Sequence, residues 1–270
     1  MLNSLFRLLS AVGGVWRIGG IKLGIGYALA ILQSLPEVLK SRSLGVADRR
    51  MAAGDGCYEF QIEGRRLLFL KQNFTLAREI WGQNTYFIQP GFGVKAGDQV
   101  LDLGANVGGF TMGAAAAGAK VLAIEAQAAM LPLLEANLKR NNLTAQVTIQ
   151  HGFVGSSECL DQNGLPIGPK VNLEDCLARA GWDRVDFLKA DIEGGEFPLF
   201  AGNPAWLRKV QRLGMEVHPE FGNLDQLRDD LISAGFAVQY RNKAFQPVGK
   251  ITEEVGFCYA WRAPLAAGKL

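Results

Sequence analysis

The sequence predicts an α/β domain built on a doubly wound parallel sheet, with an antiparallel hairpin at its carboxyl end and a helical extension at its amino end. Three observations predict it. From Gln99 onward, apolar runs of strand length alternate with helix-length segments, the pattern of a parallel sheet covered on both faces. A glycine turn, Gly104-Ala-Asn-Val-Gly108-Gly109, joins the first run to the first helix. In the tail, "FAVQYRN" and "VGFCYAWRA" are joined by a loop rather than a helix, so they are expected to pair antiparallel at the sheet edge.

In chain order, residues 1–50 read as a helical extension. Leu2, Leu5, Phe6, Leu9, Val12 and Trp16 fall at helical spacing, with Arg7, Ser10, Gly14 and Arg17 on the opposite face. The longest charge-free run, Leu23 to Pro36, is shorter than the roughly 18–20 residues of a membrane span. Ala28-Leu29-Ala30 resembles a signal-peptidase site, but the region before it is glycine-broken and follows Lys22. Residues 1–40 are therefore expected to fold onto the main domain or a second copy, or to lie in a membrane surface. Residues 51–98 lead into the core. "CYEFQIEGRRLLFLKQN" alternates about Glu63-Gly64, a hairpin signal, and Leu76 to Phe87 reads as a helix.

Residues 99–270 form the main domain. Strands are expected at Gln99–Leu103, Lys120–Glu125, Ala145–His151, Val185–Ala190 and Arg212–Val217. Helices are expected near Gly108–Ala117, Ala129–Asn141, Leu173–Ala180, Phe197–Leu207 and Leu224–Ala234.

The composition, 49% apolar and 20% charged, is that of a globular protein. A net charge of +2 with scattered basic residues argues against a nucleic-acid partner. Cys57, Cys159, Cys176 and Cys258 form no C-x-x-C pair, which speaks against a zinc site or an oxidised framework and for a cytoplasmic setting, peripheral to a membrane if the amino-terminal helix docks there.

Two acids flank the glycine turn. Asp102 closes the first strand, and Glu125 closes the second at the spacing from Gly104 where a carboxylate reaches a ribose diol. The fingerprint of a nicotinamide dinucleotide site is G-x-G-x-x-G, whereas position 106 here is Asn. An acid at Asp102 disfavours a pyrophosphate and suits a cationic ligand. S-adenosylmethionine fits, with its sulfonium, ammonium and ribose. Asp102, Gly104, Asn106, Gly108 and Glu125 are the candidate cofactor-binding residues, and Phe153, after the third strand, is a candidate to pack on adenine, or else plain core.

A second constellation lies in "VDFLKADIEGGEFPLF" and "RLGMEVHPE", which place Asp191, Glu193, Glu196, Glu216 and His218 at the ends of two further strands. With "VLDLGANVGGFT", "LAIE" and "VNLEDCL", these blocks resemble the FkbM-type methyltransferases in order and spacing. The resemblance covers roughly Gly97 to Val217. It implies a class I methyltransferase (Rossmann-like) fold, S-adenosylmethionine as donor and transfer to a hydroxyl oxygen, often on a sugar or secondary metabolite. The family's Glu-Pro after the second strand is Glu125-Ala126 here, and its L-D-D is Leu173-Glu174-Asp175.

Asp191 is the first candidate for the base or acceptor-orienting group and His218 the second, a structural histidine being the competing reading. Glu196 is read as capping the helix that starts after Gly195, and for Glu193 that reading stands open beside a functional one. No metal is required; the alternative use of Asp191, Glu193, Glu216 and His218 is as ligands of a divalent cation that acidifies the acceptor. Two other functions share these features: a non-methylating enzyme such as an aminopropyl transferase, and a membrane- or partner-docked protein with an idle cofactor site.

Overall fold

The computed structural model of the chain describes residues 2–41, 43–155 and 167–262, with the side chains of residues 2–7 excluded. Cys159 and most of the loop 155–170 lie outside the described residues. The chain divides into two units, Met1–Thr85 and Tyr86–Leu270. Residues 1–50 and the hairpin share the first unit, and residues 86–98 belong to the second.

The first unit comprises α1 (Leu2–Gln33), α2 (Leu35–Ser41), α3 (Gly45–Met51), β1 (Cys57–Ile62), β2 (Arg65–Leu70) and α4 (Phe74–Leu76), which runs on into a π-helical turn, Ala77–Gly82. Glu63 (φ 49°) and Gly64 (φ 73°) are both left-handed. Two such residues in succession turn a hairpin with the right twist, and the register closes as Ile62 opposite Arg65. The helix expected from Leu76 to Phe87 ends at Gly82, because Asn84 turns left-handed and the Thr85 hydroxyl donates to the Glu79 carbonyl at 2.7 Å.

The α1 helix buries the face opposite to the one its apolar pattern suggests. Leu9 and Trp16 are exposed, while Ala11, Gly14, Val15 and Ile18 are buried. Gly14 lies so close to Gly82 that a Cβ there would collide with its carbonyl. Arg17 then donates to the carbonyls of Trp81 (2.8 Å) and Gly82 (3.0 Å), which the end of a helix leaves unpaired. Close backbone approach and carbonyl capping select the small, polar face. Gly20, at φ 75° and ψ 177°, breaks the helix geometry. By length and composition alone Leu8–Gln33 would suffice to cross a membrane; 33% of that window is buried within the protein.

The second unit alternates as expected: β3 (Gln99–Leu103), α5 (Gly109–Ala116), β4 (Lys120–Glu125), α6 (Leu131–Arg140), β5 (Val147–His151), α7 (Leu173–Arg179), β6 (Phe187–Ala190), α8 (Glu196–Phe200), β7 (Arg212–Val217), α9 (Leu224–Ser233), β8 (Ala237–Arg241), β9 (Pro247–Val248) and β10 (Gly256–Trp261). Strand order is β5-β4-β3-β6-β7-β10-β8-β9, parallel from β5 through β7. Order reverses between β3 and β6, the switch point where ligands of such sheets bind. This is the class I methyltransferase fold.

Two elements differ from expectation. The helix expected over Phe197–Leu207 stops at Phe200, because Gly202 and Asn203 turn left-handed before Pro204, and helical turns resume only at Ala205. The terminal hairpin is not wholly at the edge: β10 is inserted antiparallel between β7 and β8. Its residues Gly256 to Ala260 are all buried, whereas β8 is only partly so. A strand apolar on both faces belongs inside a sheet.

Candidate functional site

The candidate residues lie at the carboxyl ends of β3, β4, β6 and β7. The glycine turn leaves β3 at Gly104 (φ 75°), where a Cβ would strike the carbonyl oxygen of Asp191. Only glycine serves there. The backbone N–H groups of Gly104 and Ala105 both donate to the Ile124 carbonyl, at 3.0 and 3.1 Å, tying the turn to β4. Asn106, exposed and left-handed (φ 50°), donates its backbone N–H to Glu125 Oε2 at 2.7 Å. Gly108 caps α5 from φ 90°, and a Cβ there would collide with Leu134.

Glu125 is buried, and its second oxygen accepts the Gln127 N–H, also at 2.7 Å. One backbone donor thus anchors each oxygen, and each keeps capacity for a further hydrogen bond. A carboxylate fixed in this way suits two neighbouring hydroxyls.

Asp102 faces the chain's own cation rather than the cleft. It is fully buried, accepts the Thr111 hydroxyl at 2.5 Å and lies 3.3 Å from Lys189 Nζ. Asp102, expected to meet a ligand's ammonium, here meets the ammonium of a lysine that sequence reasoning missed. Lys189 is itself buried and donates to the carbonyls of Leu103 (3.1 Å) and Gly104 (2.6 Å), so it braces the glycine turn from behind. Burial opposes its charge, but Asp102 and then Asp191 outweigh it and raise its pKa. The signal was a single charge inside the strand Phe-Leu-Lys-Ala, whose neighbours are apolar on both sides. A lysine in a strand buried on both faces needs a partner.

Asp191 follows β6, half-buried, with its N–H bonded to the Leu103 carbonyl at 3.1 Å. The hydroxyl of buried Tyr86 donates to Asp191 Oδ2 at 3.2 Å. Burial foremost, with the charges of Asp191, Glu216 and Asp102, raises the Tyr86 pKa and keeps that proton in place. Tyr86 was also missed; it lies upstream of every motif, and nothing local marks it.

His218, after β7, is drawn into the same place. Its Nε2 lies 3.3 Å from Glu193 Oε2 and 3.9 Å from Glu216 Oε1, and its Nδ1 lies 3.7 Å from Glu196 Oε1. Contact with Glu196 foremost, against burial and with the charges of Glu196, Glu193 and Glu216, raises its pKa to about 9. Glu196 is fully buried at the start of α8 and accepts the Ile192 N–H at 3.1 Å, the helix-start role read for it. Glu193 is exposed, in the left-handed region at φ 51°.

Phe153 is buried beyond β5, its backbone paired with Pro169 and Val171. His151 ends β5 in register with Glu125, its Nε2 3.0 Å from the Ala126 carbonyl. The structure thus brings together Gly104, Asn106, Gly108 and Glu125 in one group, and Asp191, Glu193, Glu216 and His218 in another. The contact of Gly104 with Asp191 joins them.

No curated protein matches the chain. Among solved structures, the chain is similar to the precorrin-6y C5,15-methyltransferase of Geobacter metallireducens GS-15, with 18% identity over 64% of this chain and 84% of that one and a TM-score of 0.38. It is similar to the O-methyltransferase from Bacillus cereus in complex with SAH, with 16% identity over 61% and 74% and a TM-score of 0.39. The sequence profile of the methyltransferase FkbM domain matches residues 102–238, half of the chain, from the acid before the glycine turn to the penultimate long strand. The chain belongs to the FkbM methyltransferase family.

Proposed function

We propose that the protein is an S-adenosylmethionine-dependent O-methyltransferase acting on a hydroxyl of a small molecule, such as a sugar or a secondary metabolite. The observation that carries the reading is the packing of Gly104 against Asp191, which joins a diol-binding carboxylate and a proton-accepting carboxylate at one switch point. The residues present fit the donor. Glu125 suits the ribose, Gly104 to Gly108 admit close approach of the ligand to backbone, and Phe153 is a candidate for the adenine. The surrounding carboxylates favour a cation over a phosphate. Asp102 contributes by fixing Lys189, which fixes the turn.

When bound, the donor supplies a methyl group on a sulfonium whose leaving group is a neutral thioether. Asp191 would accept the proton that the acceptor hydroxyl gives up. Tyr86 orients the acid by holding Oδ2. Positioning of the acceptor at attack distance is worth roughly 7–11 kcal/mol and proton acceptance about 10²–10⁴-fold. Asp191 takes the role of base ahead of His218, whose raised pKa leaves it protonated near neutrality in the metal-free chain.

Calorimetric titration with S-adenosylhomocysteine tests the donor, and methyl transfer from labelled donor to a panel of hydroxylated acceptors tests the reaction. Saturable binding that Glu125→Gln weakens is expected. Absence of binding by the unaltered chain would overturn the reading, and binding without transfer to any acceptor would favour an idle cofactor site.

A further inference from the structure

We propose that Asp191, Glu193 and His218 form a binding site for a divalent cation of the manganese or magnesium type. One ligand atom from each lies within 4.8 Å of the others, close enough to share one ion. A cluster of acids alone would not suffice, but His218 adds an independent observation. His218 is 6% exposed, and among the described residues its Nδ1 is buried without a hydrogen-bond partner. Nε2 is aimed between Glu193 and Glu216, with the nearest oxygen at 3.3 Å. A buried imidazole nitrogen with unused hydrogen-bonding capacity is costly, and a cation at Nε2 would hold the proton on Nδ1, facing the Glu196 carboxylate.

The other side of the ring fits the same role. Glu196 lies behind Nδ1, fully buried, and its Oε2 has no hydrogen-bond partner. A carboxylate behind a ligating imidazole fixes the tautomer that leaves Nε2 free to ligate. Nitrogen with two carboxylates suits manganese or magnesium better than a thiolate-seeking metal. Such an ion prefers six ligands and keeps open positions after three from the protein.

The consequence rests on the proposed O-methyl transfer. An acceptor hydroxyl bound to the cation loses its proton more readily, so the substrate class narrows to molecules whose methylated oxygen can ligate a metal.

Titration of the full-length chain with Mn²⁺ alone, followed by loss of the free-ion electron paramagnetic resonance signal, tests the site without donor or acceptor. Saturable binding of one ion per chain is expected, weakened at least about tenfold by Glu193→Gln and by Glu196→Gln. Glu193 is exposed, so an unchanged circular dichroism spectrum and melting temperature in Glu193→Gln exclude unfolding as the cause. No saturable binding, or equal binding by the unaltered chain, Glu193→Gln and Asp191→Asn, overturns the cation site. Binding of S-adenosylhomocysteine, measured in parallel, reports on the methyl-transfer reading separately.

Discussion

Each unit buries a carboxylate against a lysine or arginine, and the two pairs are built differently. In Met1–Thr85, Arg78 holds Asp48 in a fork: Nε lies 2.9 Å from Oδ1 and Nη2 lies 2.8 Å from Oδ2, with Tyr27 adding a hydroxyl at 2.8 Å. Asp48 is satisfied on both oxygens. In Tyr86–Leu270, Lys189 spends its protons on the carbonyls of the glycine turn and meets Asp102 at 3.3 Å, leaving Oδ1 without a hydrogen bond. A guanidinium fork locks a carboxylate, whereas an ammonium acts as a point charge that can serve several oxygens. The first pair closes a core. The second ties a buried acid to the glycine turn that follows β3.

The largest expected effect breaks these pairs one at a time. Arg78→Met and Lys189→Met should each cost about 3–5 kcal/mol in urea unfolding, because each leaves a buried carboxylate uncompensated. The double changes Arg78→Met/Asp48→Leu and Lys189→Met/Asp102→Leu should recover most of that stability. Only the second should remain defective in S-adenosylhomocysteine binding. Full recovery of binding there would make the two pairs equivalent.

A second contrast lies within α1. Ile18→Ala should cost about 2–5 kcal/mol and Trp16→Ala less than about 0.5 kcal/mol, since the first is buried and the second exposed. A larger loss from Trp16→Ala, measured by thermal unfolding, would restore the apolar face as the packed one.

The smallest effects compare two glycines of nearly the same φ, Gly64 at 73° and Gly104 at 75°. A Cβ at Gly64 meets nothing within 4 Å, so Gly64→Ala should cost only about 1–2 kcal/mol, the strain of the left-handed backbone. Gly104→Ala adds a collision with Asp191. It should cost about 1–3 kcal/mol and also abolish S-adenosylhomocysteine binding. Retained binding in Gly104→Ala would detach the turn from Asp191.

Much of this was legible in the residues. Alternating apolar runs located the parallel strands, because a strand buried on both faces must be apolar throughout. Glu63-Gly64 located the hairpin, because few residue pairs accept two left-handed conformations. Asp191, Glu193, Glu216 and His218 were recognisable as a group because each lies at or just beyond the end of a predicted strand. Tyr86 and Lys189 were not, since a tyrosine in a turn region and a lysine in a strand acquire meaning only from what surrounds them.

The sequence by itself thus determined which segments are strands, where the chain turns and which acids sit at strand ends; these depend on local period, on φ preferences and on spacing. Tertiary structure alone decided that Asp102 faces Lys189, that α1 packs by its glycine face against Gly82 and that β10 lies inside the sheet. Those outcomes depend on distances between residues far apart in the chain. The physical reason is that burial and charge pairing are properties of a neighbourhood, and only folding supplies one.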